Sequence, residues 1–382
     1  MRVVYCLDSI NYVGGIQKVT VTKANALARE PGNEVWVIVA DNSGRRVFEL
    51  LPCVHFIDLA VNYYEDDWMS RWNVLKCIIV KRRLHKRRLT GQLRQICPDV
   101  VISVGQSEKN FLPRIIGEWV TIREFRYTRD YRKLMADGFF SNVVARFSDL
   151  YERLFSLPKY NKIVVQTYED KQAKWNNSNR VSVIHNPLDA TLAYRSLLSD
   201  NKVIAIGRLT YQKNFTSLIR AYSIVAKRFP DWMLDIYGDG AEKQLLAKLI
   251  ADLSLNRVVR LDGLTAEALK HLLQSSIFVL SSRFEGMPNV MLEAMSCGLP
   301  VVSYACPCGP KDIITDGVDG FLVPVGDEKL LADRICRLIE DKDLRKRMGA
   351  AALERSKDFA IEKIIPMWME LFADLVRQKR QG

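Results

Sequence analysis

The most suggestive residues are two glutamates, Glu285 and Glu293, which lie in the run SSRFEGMPNVMLEAM from 281 to 295. Gly286 between them permits close backbone approach, and Pro288 suits the first turn of a helix. Backbone N–H groups at a helix start favour an anion such as phosphate. The carboxylates would accept hydrogen bonds from hydroxyl groups. This pattern predicts a site for a phosphorylated, hydroxyl-rich ligand.

Two cations follow another glycine in the run IAIGRLTYQKNF. Arg208 comes directly after Gly207, and Lys213 follows five residues later. A forked guanidinium beside an ammonium is suited to a diphosphate. Gly238, in the run YGDG, ends another strand-like segment, and we expect it to form part of a nucleoside pocket wall.

The segments that carry these residues alternate between short apolar strands and amphipathic helices. In the second half we predict strands at 203–206, 233–237, 258–261, 277–280 and 301–303, with helices at 215–229, 242–252, 266–273 and 289–297. The first half shows the same alternation of strands and helices less clearly, with strands at 3–7, 35–40, 100–104 and 163–166 and a helix at 16–29. Such alternation predicts two doubly wound α/β domains in series. The Asn-Pro pair at 186–187 marks their boundary.

In combination, these motifs resemble glycosyltransferase family 4. The resemblance extends from Val183 to about Val325 and includes the runs GLPVV and DGVDGFLV; near the start it is carried by Gly14-Gly15. It implies a GT-B architecture, with two Rossmann-like doubly wound domains facing a cleft, and retaining, metal-independent transfer. The expected domains are an acceptor-binding domain over 1–187, a donor-binding domain over 188–358, and a helix over 359–382 that crosses back.

The resemblance also implies roles for individual residues. Arg208, Lys213 and Glu285 are the expected catalytic residues, the two cations on the diphosphate and Glu285 on the sugar. Glu293 would bind the ribose, and Gly15 the distal phosphate. The complete expected donor-binding set is Gly15, Gly207, Gly238, Gly286, Met287, Pro288, Asn289, Val290 and Glu293.

The chain departs from the family pattern in its first half. Gln17 stands where many members have a glutamate, which keeps hydrogen bonding but removes the charge. Where many members have a catalytic histidine, this chain reads TIREFR over 121–126, so we assign no catalytic histidine. Glu124 could replace it, although a carboxylate among arginines is more often ion-paired.

The first half is also basic, with 29 Lys and Arg against 20 Asp and Glu in residues 1–190. One basic stretch, 81–88, contains Lys81, Arg82 and Arg83 and follows apolar and tryptophan residues. In another, Arg123, Arg126, Arg129 and Arg132 recur every third residue, which would give one positive face if the segment were helical. Both stretches predict an acceptor or anionic membrane surface on this domain.

The sequence therefore predicts an enzyme that moves a hexose or N-acetylhexosamine from a UDP sugar to a lipid-linked saccharide in bacterial capsule, exopolysaccharide or O-antigen synthesis. The resemblance implies that no cofactor or metal is required, and the spacing of the eight cysteines indicates neither disulfides nor a zinc site. The apolar runs are too short to span a membrane, and the N-terminus lacks a leader pattern. We expect a cytoplasmic protein at the inner membrane face.

Three other interpretations stay open. An epimerase or phosphorylase could use the same architecture, but would need catalytic histidines or a pyridoxal-binding lysine motif. A nucleic-acid-binding protein would explain the basic half, although the glutamates of the expected pocket argue against it. The missing histidine and Gln17 would also fit an inactive subunit that only binds the donor.

Overall fold

In a computed structural model, the chain forms two compact units. The structure describes residues 1–12, 14–42, 47–63, 71–135, 138–189 and 194–381; within these, only the backbone is described at 71–78 and 139–140. Unit 1 comprises Met1–Gln166, Lys174–Pro187 and Ile361–Gly382, and unit 2 comprises Thr167–Ala173 and Leu188–Ala360.

Unit 1 is built on a sheet of seven parallel strands in the order β3-β2-β1-β4-β5-β6-β7. The strands are β1 (Arg2–Leu7), β2 (Glu34–Val39), β3 (Val54–Asp58), β4 (Val100–Ser103), β5 (Val120–Glu124), β6 (Lys162–Val165) and β7 (Val181–Val183). The helices in this part of the chain are α1 (Gly15–Arg29), α2 (Arg71–Ile96), α3 (Tyr131–Met135), α4 (Phe139–Tyr151) and α5 (Tyr168–Trp175). The central strands are apolar because helices bury both faces of the sheet.

Unit 2 has six parallel strands in the order β10-β9-β8-β11-β12-β13. The strands are β8 (Lys202–Ile206), β9 (Met233–Tyr237), β10 (Val259–Gly263), β11 (Ile277–Leu280), β12 (Val301–Tyr304) and β13 (Gly320–Val323). Its helices are α6 (Phe215–Arg228), α7 (Lys243–Asp252), α8 (Ala268–Leu273), α9 (Asn289–Ser296), α10 (Pro310–Ile313), α11 (Glu328–Glu340) and α12 (Lys342–Ser356). Apolar clusters fill both faces of this sheet as well.

The last helix, α13 (Ile361–Gln381), is part of unit 1 rather than of unit 2, which it follows in the chain. Trp368 and Phe372 are fully buried, and both belong to the apolar cluster that contains β1 and α1. The core of unit 1 is therefore completed by the C-terminal residues of the chain.

The predicted positive helical face over 123–132 is wrong. Arg123 lies in strand β5, and of the four arginines only Arg132 lies in a helix, α3. The β-branched residues Val120, Thr121 and Ile122 favour a strand, and this strand is buried along its whole length. The side chain of Arg123 is 1% exposed. The spacing of three residues between the arginines therefore did not indicate a single helical face.

Candidate functional site

The site in unit 2 lies where the order of its strands reverses. From β8 the chain proceeds outward through β9 and β10, and then returns to β11 on the other side of β8. Open parallel sheets bind ligands at this reversal, beyond the carboxyl ends of the strands. The loops that follow β8 and β11 meet there. They are joined by hydrogen bonds from the Arg283 N–H to the Gln212 carbonyl, 2.8 Å, and from the Ser281 hydroxyl to the Lys213 carbonyl, 2.9 Å.

Lys213 and Glu285, predicted on separate grounds, contact each other. The Nζ of Lys213 lies 2.7 Å from Oε1 of Glu285, and the two side chains are 14% and 7% exposed. The hydroxyl of Ser282 donates to the same Oε1 at 2.5 Å. A largely buried carboxylate needs such partners, because loss of hydration is costly. The pair fixes an ammonium and a carboxylate at the reversal point.

Arg208 is exposed beside this pair, and its guanidinium is oriented by Gln212. Its Nη2 donates to Oε1 of Gln212 over 3.3 Å. Gln212 is buried, and its amide nitrogen donates to the Phe284 carbonyl at 3.0 Å. Gln212 thus links the two loops and orients the guanidinium. Sequence reasoning missed this role, because a glutamine beside a Lys-Asn pair has no distinctive local signal.

Gly207 and Gly238 allow the first turns after β8 and β9 to touch. Gly238 has φ +149°, and a Cβ there would lie 1.8 Å from the carbonyl oxygen of Gly207. At Gly207 a Cβ would lie 3.2 Å from the side chain of Lys213. Only glycine fits such an approach at position 238. These two glycines lie beside Lys213, and their place in a pocket wall stays a prediction.

Helix α9 begins at Asn289, directly after the loop that carries Glu285 and Gly286. Pro288 is the residue before the helix rather than its first residue, with φ −77° and ψ 92°. A Cβ on Gly309, in the loop after β12, would come within 2.6 Å of the Pro288 ring. The loop after β12 therefore packs closely against the start of helix α9.

The remaining predicted donor contacts lie on this helix and the turn before it. Met287 is 6% exposed and belongs to the apolar core, so its backbone rather than its side chain would meet a ligand. Asn289, Val290 and Glu293 are half-buried on the first two turns. The structure thus brings the predicted residues of unit 2 to one edge of one sheet.

Cys306 and Cys308 are buried and border this region. Burial, and next the negative charge of Glu285, raise the pKa of the Cys306 thiol well above its ordinary value. Among the described cysteines no disulfide occurs. Over those parts of the chain for which side chains are described, no cluster of acidic, histidine and cysteine side chains could hold a metal ion.

In unit 1 the strand order reverses between β1 and β4, and Gly15 begins helix α1 there. Gln17 is 3% exposed, and its amide nitrogen donates to the Ser9 carbonyl over 3.4 Å. Its Oε1 fills the space above Gly14, where a Cβ would lie only 2.3 Å away. Gln17 therefore supports the glycine loop from within.

A buried carboxyl group, Glu108, follows β4 at the same reversal. It is 1% exposed and accepts a hydrogen bond from the Ser103 hydroxyl at 2.8 Å. Burial, and then the charge of Asp8, raise the pKa of Glu108 to about 7. The carboxylate of Asp8 accepts backbone N–H groups of Gln106 and Ser107 at 2.9 and 3.0 Å. Nothing in the sequence had marked Glu108.

Glu124 and Arg126, predicted at an acceptor or membrane surface, are instead buried within unit 1. The two oxygens of Glu124 lie 2.6 and 2.7 Å from Nζ of Lys23, and Arg126 lies 3.3 Å from the same carboxylate. Lys23 also lies 4.0 Å from the ring centroid of Trp368 on α13. Burial, and then the charge of Arg126, lower the pKa of Lys23 to about 7. The ion-paired interpretation of Glu124 is confirmed.

Arg123 is buried for a similar reason. One Nη nitrogen donates to the carbonyls of Ser103 and Gly105 at 3.1 and 2.7 Å, and Nε lies 3.8 Å from Glu152. A buried guanidinium is tolerated when carbonyl and carboxylate oxygens surround it. The prediction of Arg123 and Arg126 as surface groups was therefore wrong.

Lys81, Arg82 and Arg83 lie on helix α2. Lys81 is half-buried and donates to the Asn62 carbonyl, whereas Arg82 and Arg83 are exposed. Their contact with an acceptor or membrane stays a prediction. None of the helices in the described ranges combines the length and apolar character that crossing a bilayer requires.

Comparison with known proteins gives a consistent result for this part of the chain. Residues 194–355 match the family model of glycosyl transferases group 1. An uncharacterized glycosyltransferase of Methanocaldococcus jannaschii is 39% identical over 244 residues, covering 56% of this chain and 57% of the relative. The N-acetylgalactosamine-N,N'-diacetylbacillosaminyl-diphospho-undecaprenol 4-alpha-N-acetylgalactosaminyltransferase of Campylobacter jejuni is 34% identical over 167 residues, 44% and 45% of the two chains.

The chain thus spans about half the length of these relatives. Among solved structures, Anabaena Alr3699/HepE in complex with UDP-glucose superposes with a TM-score of 0.75 at 18% identity, over 98% of this chain and 100% of that one. That likeness concerns the fold and confirms the predicted two-domain α/β class. Residues 194–355 are therefore similar to group 1 glycosyl transferases, and the structural neighbours show that the chain has the two-domain GT-B fold.

Proposed function

We propose that the chain transfers a hexose or N-acetylhexosamine from a UDP sugar to a lipid-linked saccharide in bacterial capsule, exopolysaccharide or O-antigen synthesis. The observation that carries this proposal is the Lys213–Glu285 contact of 2.7 Å at the strand reversal of unit 2, with Arg208 exposed beside it. A nucleotide-sugar donor has a diphosphate, which cations bind, and sugar hydroxyls, which a carboxylate binds. This site offers both kinds of group.

Arg208 and Lys213 would act on the leaving group. When the bond from sugar to diphosphate breaks, negative charge develops on the departing phosphate oxygen. Fixed cations stabilise that charge more strongly in the transition state than in the bound donor, by about 3 kcal/mol for a well-placed donor group. Lys213 is oriented by Glu285 and Arg208 by Gln212, so neither must be ordered at the moment of reaction.

Glu285 and Glu293 would orient the donor from two sides. Glu285 lies in the loop after β11 and would accept hydrogen bonds from the sugar, while the backbone of 286–289 lines the same turn. Glu293 lies more than one turn into α9, where it would accept the ribose hydroxyls. We propose transfer with retention of configuration and without a metal ion.

The lipid-linked acceptor is proposed from one relative. The name of the Campylobacter jejuni relative includes a diphospho-undecaprenol acceptor. An acceptor with a polyprenyl tail would be reached at the inner face of the cytoplasmic membrane, where we propose that the protein acts.

The donor part of this proposal is tested by thermal unfolding with a panel of nucleotide sugars and free UDP. A ligand at 100 times its Kd stabilises a protein by roughly 2.7 kcal/mol. We expect UDP and one or a few UDP sugars to raise the Tm. No shift with any nucleotide would contradict the proposal.

Transfer itself is tested with the stabilising donor and a polyprenyl-diphosphate-linked saccharide, with and without EDTA. We expect product in both arms, and NMR of the product should give the anomeric configuration of the donor. Loss of transfer with EDTA would contradict metal independence, and inversion would contradict retention. Stabilisation without any release of UDP would favour the inactive donor-binding subunit.

A further inference from the structure

A second surface of unit 1 is unusually apolar. Helix α4 continues without a break through the turns at Glu152–Ser156 and Leu157–Lys159. Six large apolar side chains on it are each at least 40% exposed: Val144, Phe147, Leu150, Tyr151, Leu154 and Phe155. We call this set the apolar stripe. Single exposed apolar residues are common, whereas a contiguous row of six indicates a binding surface.

The spacing of the apolar stripe places it on one side of the helix. Its members recur at intervals of three and four residues, which is the period of one helical face. The opposite face is fixed to the rest of unit 1, because Ala145, Glu152 and Ser156 are buried. The stripe therefore points to solvent as a consequence of packing on the other side.

The exposed charges along this helix are basic. Arg146, Arg153 and Lys159 are exposed along the helix. The two acidic residues between 138 and 159, Asp149 and Glu152, are engaged elsewhere in unit 1. Arg132 lies 3.0 Å from Asp149 and 2.9 Å from Glu152, and Lys109 lies 2.7 Å from Glu152. The solvent-facing side of this helix is left apolar and cationic.

A cationic recess borders the end of the stripe. It has a volume of about 360 Å³ and is lined by Arg114, Lys159 and Lys379 together with Ile116 and Trp119. Arg114 connects the two features, since its guanidinium donates to the Phe155 carbonyl at 3.2 Å and lies 5.9 Å from the Tyr151 ring. Ile116 is 89% exposed at the rim. Glu118 is the exposed acidic residue in this loop.

We infer that the apolar stripe and its basic flanks dock unit 1 on an anionic lipid bilayer. Aromatic and branched apolar side chains would enter the boundary between headgroups and acyl chains, while the arginines and lysines meet lipid phosphates. A second copy of the chain fits this surface less well. A two-fold contact would place the same basic flanks against each other, without exposed acidic residues from the helix to pair them.

The inference of membrane docking depends on the proposed function in one respect: docking would bring the enzyme to a lipid-linked acceptor. It also changes where the membrane surface is expected. The basic stretch over 81–88 was predicted from its charge and from the apolar and tryptophan residues before it, whereas the structure shows exposed apolar area beside exposed charge at 144–155.

The test is co-sedimentation of the full chain with phosphatidylcholine vesicles that contain either no or about 30% phosphatidylglycerol, an anionic lipid. We expect binding to the anionic vesicles, weakened at least tenfold by the double substitution Phe147→Gln and Leu154→Gln. The control is Leu197→Gln with Leu245→Gln, which removes two leucines of unit 2 that are at least as exposed as Leu154 and should leave binding unchanged. Equal binding by wild type and the stripe variant would overturn the inference.

A second pair of variants tests the charges. Arg146→Ala with Arg153→Ala should weaken binding to anionic vesicles by on the order of fivefold per arginine at low salt. Lys227→Ala with Lys248→Ala, two exposed lysines of unit 2, is the control and should have no effect. An equal loss of vesicle binding in the control variant would indicate general attraction between the basic protein and the anionic lipid. It would contradict docking through the apolar stripe and its basic flanks.

Two further measurements separate the possible failures. Sedimentation velocity of the wild type and the stripe variant reports self-association: a dimer lost in the variant would assign the stripe to a second copy and overturn membrane docking. Turnover with a water-soluble acceptor analogue reports the proposed function and should be unchanged in the stripe variant. Absence of turnover in the wild type would count against the proposed function and leave the vesicle result standing.

Discussion

At the scale of single residues, Lys213 and Arg208 differ in how their replacement must be interpreted. Lys213 is paired with the nearly buried Glu285, so its removal leaves a carboxylate short of a partner. Breaking a buried pair costs about 3–5 kcal/mol, and somewhat less at this partial exposure. Arg208 is exposed, and its guanidinium makes one hydrogen bond, of 3.3 Å, to the described part of the chain. Arg208→Ala is therefore the variant that separates chemistry from folding.

Glu108 gives a prediction for stability against pH. Its carboxyl has a pKa of about 7 in the folded chain, against 4.5 ordinarily. Between these values the folded chain holds a proton that the unfolded chain has lost. The contribution of Glu108 to the free energy of unfolding should thus be most favourable below pH 4.5 and fall by roughly 3 kcal/mol as the pH rises to 7.

The matched variant for this prediction is Glu108→Gln, which keeps an acceptor for Ser103 but cannot titrate. Urea unfolding at several pH values should give a difference between wild type and variant that changes over pH 4.5 to 7. A constant difference across that range would contradict a raised pKa at Glu108.

Local sequence signals marked several residues that the structure places together. Gly207, Arg208 and Glu285 are each recognisable from neighbours within a few positions, and the structure places them at one strand reversal. The burial of Arg123 and Arg126 could not be predicted this way. Their oxygen partners include Glu152 and Asn186, which lie tens of residues away in sequence. Charge in a sequence therefore does not indicate which charges remain at the surface.

At the scale of elements, the turns after β8 and β9 touch so closely that a side chain at position 238 should not fit between them. Gly238→Ala combines a φ of +149° with a Cβ 1.8 Å from the Gly207 oxygen. We expect a loss of stability of roughly 2–5 kcal/mol, from backbone strain together with overpacking. Donor binding should weaken too, since the turn after β8 carries Arg208.

Gly263→Ala is the control for that substitution. Gly263 has φ +74° with open space around it, so strain alone should cost about 1–2 kcal/mol. Chemical denaturation of both variants measures the comparison. Equal destabilisation would mean that the close approach of the two turns has no energetic consequence.

Helix α13 gives a second prediction at this scale. Trp368 is fully buried against Lys23 and the core of unit 1, so Trp368→Ala should destabilise unit 1 by about 3–5 kcal/mol. Met367, its neighbour on the same helix, is 38% exposed, and Met367→Ala should cost less than about 1 kcal/mol. A similar Tm for the two variants would contradict the role of α13 in the core.

Most elements were predictable because parallel strands buried on both faces are apolar runs with clear ends. β9 and β11 match their predicted bounds, and α6 ends one residue early. The strands that were not predicted include β3, β5 and β13. β5 ends in Arg-Glu and β3 contains His and Asp, so polar residues interrupt the apolar run. In β5 those polar residues are buried and paired, which only tertiary structure supplies.

At the scale of the whole molecule, the excess lysines and arginines of the first half fall into two groups, one buried and one exposed. Lys23, Arg123 and Arg126 are neutralised inside unit 1. Other cations, on α2 and along the apolar stripe, remain exposed. Net charge alone overstated the charged surface, but the excess that does reach solvent is consistent with an anionic partner.

The central claim is that unit 2 binds a nucleotide-sugar donor through Arg208, Lys213 and Glu285 and activates it. The most direct measurement is UDP release, with a donor that stabilises the protein, by wild type, Arg208→Ala and a control, Lys270→Ala. Lys270 is an exposed lysine of α8 in the same unit. We predict that Arg208→Ala keeps the wild-type Tm but loses at least about 100-fold in turnover, as expected for one lost charge-stabilising group. Near-normal turnover by Arg208→Ala would contradict the account, as would an equal loss in Lys270→Ala.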